Sequence, residues 1–446
     1  MKITLPENVN LIINTLTQKG FEAYIVGGCV RDSILGLTPQ DWDITTDALP
    51  NDILLCFKNY KTIETGIKHG TVAIVIDKEI YEITTYRIDG DYKDNRHPES
   101  VEFSDKLEYD LARRDFTVNA MAYSPKAGLV DLYGGMDDLK YKAIRCVGQA
   151  DKRFKEDALR ILRALRFASV YDFTIEVNTS NAIFENAKLL NNISSERITA
   201  EFNKLICGSS ASYILNRYKR VIEIFIPEIE VMFNFDQKTP HHNKTLWKHT
   251  LSSMSHIDND LLLRLTMFFH DIGKPLAQKY DEEKNLCHYK GHNVFSCAIA
   301  ENVMKRLRYS NEMIHNTKEL IYYHDVRCGD NKKHIKKVLS KIGEDKFRML
   351  LKVQRADILA QSLYQRDKKL SSLALCEETF EEIIKAQECF SLKDLAVNGR
   401  DLIHLGVTKG EEIGKTLNTL LALVIDGKIE NEKQILLDKS KELNNL

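Results

Sequence analysis

The sequence predicts an α/β head followed by an all-helical remainder, and three observations carry that division. Short β-rich runs separated by turn signals fill roughly the first 150 positions, and beyond them apolar residues recur with helical spacing to the end. At 446 residues the chain is also too long for a single core. The shifts in pattern divide it into a head over 1–149, a helical neck over 150–230, a third segment over 231–365 and a helical tail over 366–446.

Within the head, strands are predicted at 24–26, 42–45, 71–76, 80–87, 116–122 and 129–131, with a helix after the paired glycines Gly27 and Gly28. The charged, turn-rich stretch 88–100 is expected to be a mobile loop. In the neck, residues 156–167 (Glu-Asp-Ala-Leu-Arg-Ile-Leu-Arg-Ala-Leu-Arg-Phe) form a helix with Leu159, Leu162 and Leu165 as its buried stripe. A further apolar helix over 261–271 is stopped by Ile-Gly-Lys-Pro. The net charge of −1 gives no global basic field, so a nucleic-acid partner must be held by local patches, of which the lysine-rich segment 332–355 is one candidate. Nine scattered cysteines without a CxxC pair read as reduced thiols. The N-terminal residues lack the pattern of a signal peptide, and the strongest apolar run, 261–269, is interrupted by Arg264. These features predict a soluble cytoplasmic protein with no membrane partner.

Chemistry concentrates in the head. Asp41 and Asp43 stand two apart on a predicted strand, so both project to one side and can hold a hard divalent cation. Gly27 and Gly28 lack Cβ atoms, which lets their backbone N–H groups and the following helix N-terminus approach a phosphate. With Arg31 and Asp32 opening that helix, the layout fits a nucleoside triphosphate with Mg²⁺. Glu82 is a candidate third carboxylate, sharing a strand face with Thr84 and Tyr86. Arg113 and Arg114 offer guanidinium forks suited to phosphate and ribose oxygens.

The 156–167 helix carries Arg160, Arg163 and Arg166 at i, i+3 spacing, which costs repulsion unless an anion lies nearby. Asp157 and Arg160, one turn apart, set an acceptor beside a donor. Cytosine and adenine present an amino donor beside a ring acceptor, whereas uracil and guanine present the reverse. One Asp/Arg pair can therefore accept C and A and reject U and G, by about 1–3 kcal/mol for a well-made bidentate contact. Further along, His249, the adjacent pair His270-Asp271, His292, His324 and Asp357 form a scattered set whose imidazole and carboxylate donors suit a transition-metal or mixed-metal centre.

With these residues in view, the chain resembles the class II tRNA nucleotidyltransferase and poly(A) polymerase family, most closely its CCA-adding members. The matching motifs, in the family's order, are GGCVRD (27–32), DWD (41–43), HGTV (69–72), EITTYR (82–87), RRDFTVNA (113–120), DLYGGMDDL (131–139), EDALRILRALRF (156–167) and SSERITAEFNKLI (194–206). The resemblance implies a polymerase β-like mixed sheet in the head and template-independent addition of C, C and A to the 3′ end of tRNA from CTP and ATP, releasing pyrophosphate. By carry-over, Asp41 and Asp43 hold Mg²⁺ for two-metal transfer, Gly28 and Arg31 contact the triphosphate, and Arg114 contacts the nucleotide. Asp157 and Arg160 read the base, and Arg163 and Arg166 complete its pocket.

The histidine set resembles the HD phosphohydrolase superfamily, with His249, His270, Asp271 and Asp357 as core ligands and His292 and His324 as those of a second metal. This implies an HD domain over 231–365, a possible second divalent transition metal and a possible phosphohydrolase activity on damaged tRNA ends. The segment 394–414 resembles the family's C-terminal tRNA-binding part. A poly(A) polymerase, a partial CC- or A-adding enzyme, and an HD phosphohydrolase with the head as a tRNA-binding module are the alternative readings. Against the first, no arginine/lysine-rich stretch follows the second strand; against the second, the 88–100 loop is full length.

Overall fold

In the computed structural model, which describes residues 2–90 and 100–445, the chain folds as two compact units, Met1–Pro227 and Glu228–Leu446. Residues 91–99 of the expected 88–100 loop lie outside the described residues.

The first unit is built on the expected α/β head. Seven strands form one mixed sheet in the order Lys61–Ile63, Thr71–Ile76, Glu79–Thr85, Ile44–Thr46, Ala23–Val26, Met121–Ser124 and Gly128–Asp131. The pair Ile44–Thr46 and Glu79–Thr85 is parallel, and the other neighbours are antiparallel. Alternation explains the strands: Val72, Ile74 and Ile76 are buried, as are Tyr81, Ile83 and Thr85. The register Val72↔Ile83 and Ile74↔Tyr81 stacks these side chains on one face. Beyond the sheet come the helices Ala150–Glu156, Leu159–Tyr171, Val177–Asn186 and Ser195–Ile206.

Four local expectations are corrected. The predicted strand 116–122 is a 3₁₀ turn, Thr117–Asn119, followed by the strand Met121–Ser124. Asp115 accepts from the Phe116 N–H (2.8 Å) and Asn119 Nδ2 (3.1 Å), and Thr117 Oγ1 donates to Asp138 (2.6 Å), so local side-chain bonding overrides the β-branched run. The second strand begins at Ile44, leaving Asp41 and Asp43 just before it. Tyr86 lies beyond its strand and is fully buried, so it does not share the face of Glu82. The 156–167 helix is broken: Asp157 is extended (φ −135°, ψ 104°), its carboxylate accepts the Leu159 N–H (3.0 Å), and a new helix starts at Leu159 instead of the old one continuing.

The second unit is helical, with Leu246–Met254, Leu261–Phe269, His292–Arg306, Asn311–Tyr323 and the long Lys332–Ala360 as its main elements. Gly343 interrupts Lys332–Ala360 with φ 76°. A small antiparallel hairpin, Lys279–Asp281 with Leu286–His288, departs from the all-helical expectation. In the tail, Leu395, Val397, Leu420, Leu421, Ile425 and Leu436 form a core. Asn398 and Asp401 make a reciprocal capping box at the start of Gly399–His404. The 332–355 segment is largely neutralised within its own unit: Lys336 pairs with Glu388, Lys337 with Asp426, Lys346 with Glu319, Arg348 with Glu344 and Glu381, Lys352 with Asp258 and Arg355 with Glu377. Among the described residues, no helix is long and apolar enough to cross a membrane.

Candidate functional site

Asp43 is fixed although it precedes its strand, because its carbonyl accepts the Val26 N–H (3.0 Å) and extends the sheet ladder by one rung. The parallel register Ile44↔Ile83, continued one residue back, sets Asp43 beside Glu82. Asp41 and Asp43 are open to solvent at their surfaces, yet protein crowds around Asp43. Burial raises its pKa, Arg114 opposes the rise and Asp41 adds to it. Glu82 is likewise raised, by burial and then by Asp43 and Asp41. Three carboxylates thus share one field that Arg114 offsets only in part, the condition a divalent cation relieves.

Gly27 needs to be glycine for its backbone, and a side chain there would also displace the tip of Arg114. The Gly27 φ is +83°, and a Cβ there would lie 2.9 Å from Arg114 Nη1. Arg31, in the following helix Gly28–Ile34, is buried and clamped. It donates to Asp32 Oδ1 (2.9 Å), Asn119 Oδ1 (2.5 Å) and Tyr171 Oη (2.6 Å), with the Tyr171 ring 4.5 Å from its guanidinium carbon. Burial pushes the Tyr171 hydroxyl up to about 12. Gly28, Arg31, Asp41, Asp43, Arg166 and Lys204 all line a cavity of about 710 Å³.

A second cavity, of about 270 Å³, is lined by Arg114, Asp157, Arg160, Arg163 and Arg197. Three of its guanidinium groups are held by buried acids. Arg113 and Arg114 pair with Asp110 (2.6 and 3.1 Å), while Arg163 pairs with Asp115 (2.5 Å). Burial alone would raise Asp115, but Arg163, Asn119 and Arg160 outweigh it and bring its pKa down to about 2. Arg166 contacts Glu201 (3.1 Å) and lies 4.0 Å from the centre of the Phe167 ring.

The helix Leu159–Tyr171 runs past both cavities, with Arg160 and Arg163 at the second and Arg166 and Tyr171 at the first. Six residues of helix span about 9 Å, the scale of one nucleotide. Arg114 links the two regions, acting on Asp43 while lining the cavity of Asp157.

The expected side-by-side Asp157/Arg160 pair takes a different form. Arg160 donates to Glu156 (2.7 Å), the Arg153 carbonyl (3.2 Å) and the Arg113 carbonyl (3.0 Å). Asp157 accepts instead from Arg197 (3.0 Å). Asp115, Glu201, Arg197 and Tyr171 were missed by sequence reasoning, because each acts through a partner distant in the chain; Asp110, one turn from Arg113 and Arg114, and Lys204 were overlooked as well. The motif 194–206 was the available signal for Arg197, Glu201 and Lys204.

In the second unit all six expected donors converge. His249, His270, Asp271 and Asp357 form one buried cluster, and Asp271, His292 and His324 form another, with donor atoms in each within 4.8 Å of one another. Asp271 joins them: Oδ2 faces His249 and His270 (both 3.2 Å), and Oδ1 faces His292 (3.2 Å) and His324 (3.6 Å). Nδ1 of His270, His292 and His324 lies 2.7, 2.9 and 2.6 Å from the carbonyls of Met267, Tyr289 and Ile321. Carbonyls only accept, so these bonds protonate Nδ1 and turn the Nε2 lone pairs inward.

The Nε2 atoms of His249 and His270 are 3.4 Å apart and those of His292 and His324 are 3.1 Å apart, an arrangement that a cation between them satisfies. Burial alone would raise Asp271, but His270 and Lys274 outweigh it and hold its pKa well below the usual range. Burial pushes His324 down. The cavity over this centre, about 380 Å³, adds residues the sequence reading overlooked: His242, Lys274, Arg327 and Lys369.

Comparison with known proteins sets the class first. Residues 23–145 match the family model described as "Poly A polymerase head domain", 172–232 the one described as "Probable RNA and SrmB-binding site of polymerase A", and 294–439 "tRNA nucleotidyltransferase domain 2". The chain is 50% identical to a CCA-adding enzyme of Geobacillus thermodenitrificans over 204 residues, which cover 46% of this chain and only half of that relative's length. It is 33% identical to the CCA-adding enzyme of Leuconostoc mesenteroides over 99% of this chain and 98% of that protein. The crystal structure of the Bacillus stearothermophilus CCA-adding enzyme in complex with CTP aligns with a TM-score of 0.71 at 27% identity, covering 99% of this chain and 98% of that one. The chain belongs to the family of CCA-adding enzymes.

Proposed function

We propose that the first unit adds CCA to the 3′ end of tRNA, without a template, from CTP and ATP and with release of pyrophosphate. The observation that carries this reading is the single helix Leu159–Tyr171, which runs from the cavity of Asp157 to the cavity shared with Asp41 and Asp43. One nucleotide can then touch both. Asp41 and Asp43, with Glu82 beside them, are the residues that would hold Mg²⁺. When bound, Mg²⁺ supplies charge at the α-phosphate and lowers the pKa of the primer hydroxyl, the general two-metal chemistry.

This chain's own residues do the rest. Gly28 lets backbone approach the phosphates. Arg31, held by Asn119 and Tyr171, presents a fixed positive charge to the triphosphate. Arg166 adds charge in the same cavity, while Arg114 and Arg163 flank the nucleoside. Asp157 selects the base by accepting its exocyclic amine. The primer's terminal 3′ oxygen attacks the α-phosphorus in line, the bond to the pyrophosphate oxygen breaks, and no covalent enzyme intermediate forms. In this reading residues 1–149 are the head, 150–230 the neck, 231–365 the metal-centre domain and 366–446 a tRNA-binding tail, and the cytoplasm is the working compartment.

The test is a gel assay with tRNA lacking CCA and tRNA ending in CC, given each NTP separately. Two cytidylates and then one adenylate are expected. CC alone or A alone would make the enzyme partial, a long A tail would make it a poly(A) polymerase, and no extension would leave the head as a binding module.

A second reading concerns the other unit, favoured by the four inward-facing imidazoles around Asp271. We propose that this HD-type centre binds divalent transition metals and hydrolyses phosphate esters at damaged tRNA ends, with Lys274 and Arg327 near the anion. Metal-dependent hydrolysis of a 2′,3′-cyclic nucleotide by wild type, lost in Asp271→Ala, is expected; equal rates would dismiss it.

A further inference from the structure

Beside the metal centre of the second unit lies another cavity, of about 200 Å³, to which the reading above gives no role. Arg327 and Lys369 line both cavities, so the two adjoin. Those two side chains are already tied to the centre. Arg327 donates to the His324 carbonyl (2.6 Å) and to Asp357 Oδ2 (3.1 Å). Lys369 donates to Gln361, whose Nε2 donates to the same Asp357 oxygen (3.0 Å). Away from the centre the cavity follows the helix Arg366–Lys385, where Lys368, Ser372 and Cys376 recur every four residues on one face. From Lys369 to Cys376 the helix rises about 10 Å, again the scale of one nucleotide.

Arg327, Lys368 and Lys369 bring three cations to this cavity, and no carboxylate lines it among the described residues. Lys368 is exposed and has no ion-pair partner among the described residues. The floor differs from this cationic rim, since Gln354, Leu373 and Cys376 are buried. Gln354 Nε2 donates to the Val326 carbonyl (2.7 Å) and lies 3.5 Å from the Tyr323 carbonyl. Carbonyls only accept, so the amide nitrogen is the atom turned toward them, and no donor among the described residues reaches Oε1. An unmet acceptor beside an apolar wall suits the amino edge of a base, and the cations suit a phosphodiester.

We infer that this cavity holds the nucleotide 5′ to the one whose terminal phosphate is hydrolysed. Its base lies against Leu373 and Cys376 and donates its exocyclic amine to Gln354 Oε1. The linking phosphodiester sits where the two cavities meet, on Arg327 and Lys369, with Lys368 at the rim. The substrate of the centre is then a single-stranded RNA end rather than a free nucleotide. This inference rests on the proposal that the metal centre hydrolyses phosphate esters.

The test measures kcat/KM of the full chain, with Mn²⁺ or Ni²⁺ added, for cytidine 2′,3′-cyclic phosphate and for the dinucleotides CpC and UpC ending in the same cyclic phosphate. Wild type is expected to favour CpC over the mononucleotide by about tenfold or more, chiefly through KM, with UpC, which lacks the amine, in between. Lys368→Glu reverses a rim charge and Ser372→Phe fills the cavity, and each should bring the ratio close to one. A ratio between substrates is insensitive to the fraction of protein that folds, so a destabilised variant still reports. A second readout needs no turnover: CpC with a 3′-phosphate, and not cytidine 3′-phosphate, should protect Cys328 in the cavity wall from N-ethylmaleimide. Equal kcat/KM for CpC and the mononucleotide in wild type, or an undiminished preference in both variants, would overturn the role of this cavity and leave the activity of the metal centre standing. Equal kcat/KM for UpC and CpC would remove Gln354 from the site. No hydrolysis of any of the three by wild type would overturn the underlying reading and this inference with it.

Discussion

Removing the charge of Asp115 is the most informative perturbation of the arginine scaffold. Asp115 is buried, accepts a fork from Arg163 at 2.5 and 2.8 Å, and bonds the Phe116 N–H and Asn119. Its pKa is brought from the ordinary 3.8 down to about 2. At 1.36 kcal/mol per pKa unit, that displacement corresponds to about 2 kcal/mol of stability. Because the folded value is the lower one, the contribution is complete above the unfolded pKa and disappears as pH falls through the folded pKa. Asp115→Asn should therefore destabilise the first unit by about 2 kcal/mol at pH 7, with the difference from wild type constant down to about pH 5 and shrinking below pH 4.

Each unit carries one of the chain's two tryptophans, Trp42 and Trp247. Urea unfolding followed by fluorescence in a Trp247→Phe background therefore reports on the first unit. A difference below about 0.5 kcal/mol at pH 7, or one that grows as the pH falls, would refute the charge-pair account.

Three further outcomes are expected. Asp43→Asn should abolish nucleotide transfer in the gel assay while leaving tRNA binding by filter retention nearly unchanged; retained turnover would remove Asp43 from the cation site. Gly27→Ala should cost about 1–3 kcal/mol in urea unfolding, since it forces alanine to φ +83° and displaces Arg114, and it should raise KM for CTP. Unchanged stability and KM would mean that the tight approach of Arg114 is dispensable. Elemental analysis of purified protein should find first-row transition metal, reduced by Asp271→Asn at both clusters and by His324→Ala at one; equal content in all three proteins would show that the centre holds none.

What could be read in advance follows from what is local. Period-2 alternation marks Thr71–Ile76 because one face of it is buried, and the apolar periodicity of Leu159–Tyr171 shows in its own residues. The two donor clusters were nameable because His270-Asp271 closes an apolar helix and the set as a whole resembles the ligands of the HD superfamily. The break at Asp157 was not legible: it depends on a carboxylate choosing the Leu159 N–H and Arg197, 40 positions away.

Nor could periodicity pair Arg163 with Asp115, 48 positions back, or divert residues 116–122 from a strand into a turn locked by Asp138. The basic segment 332–355 misleads for the same reason, since Asp258, Glu319, Glu377, Glu381 and Asp426 cancel much of its charge from far along the chain.

One crystal structure of this chain with CTP and Mn²⁺ tests the central claim most directly. A single nucleotide whose amine meets Asp157, and whose α-phosphate shares a Mn²⁺ with Asp41 and Asp43, is the predicted result. A nucleotide bound with its base away from Asp157, or with no metal at the two aspartates, would contradict it.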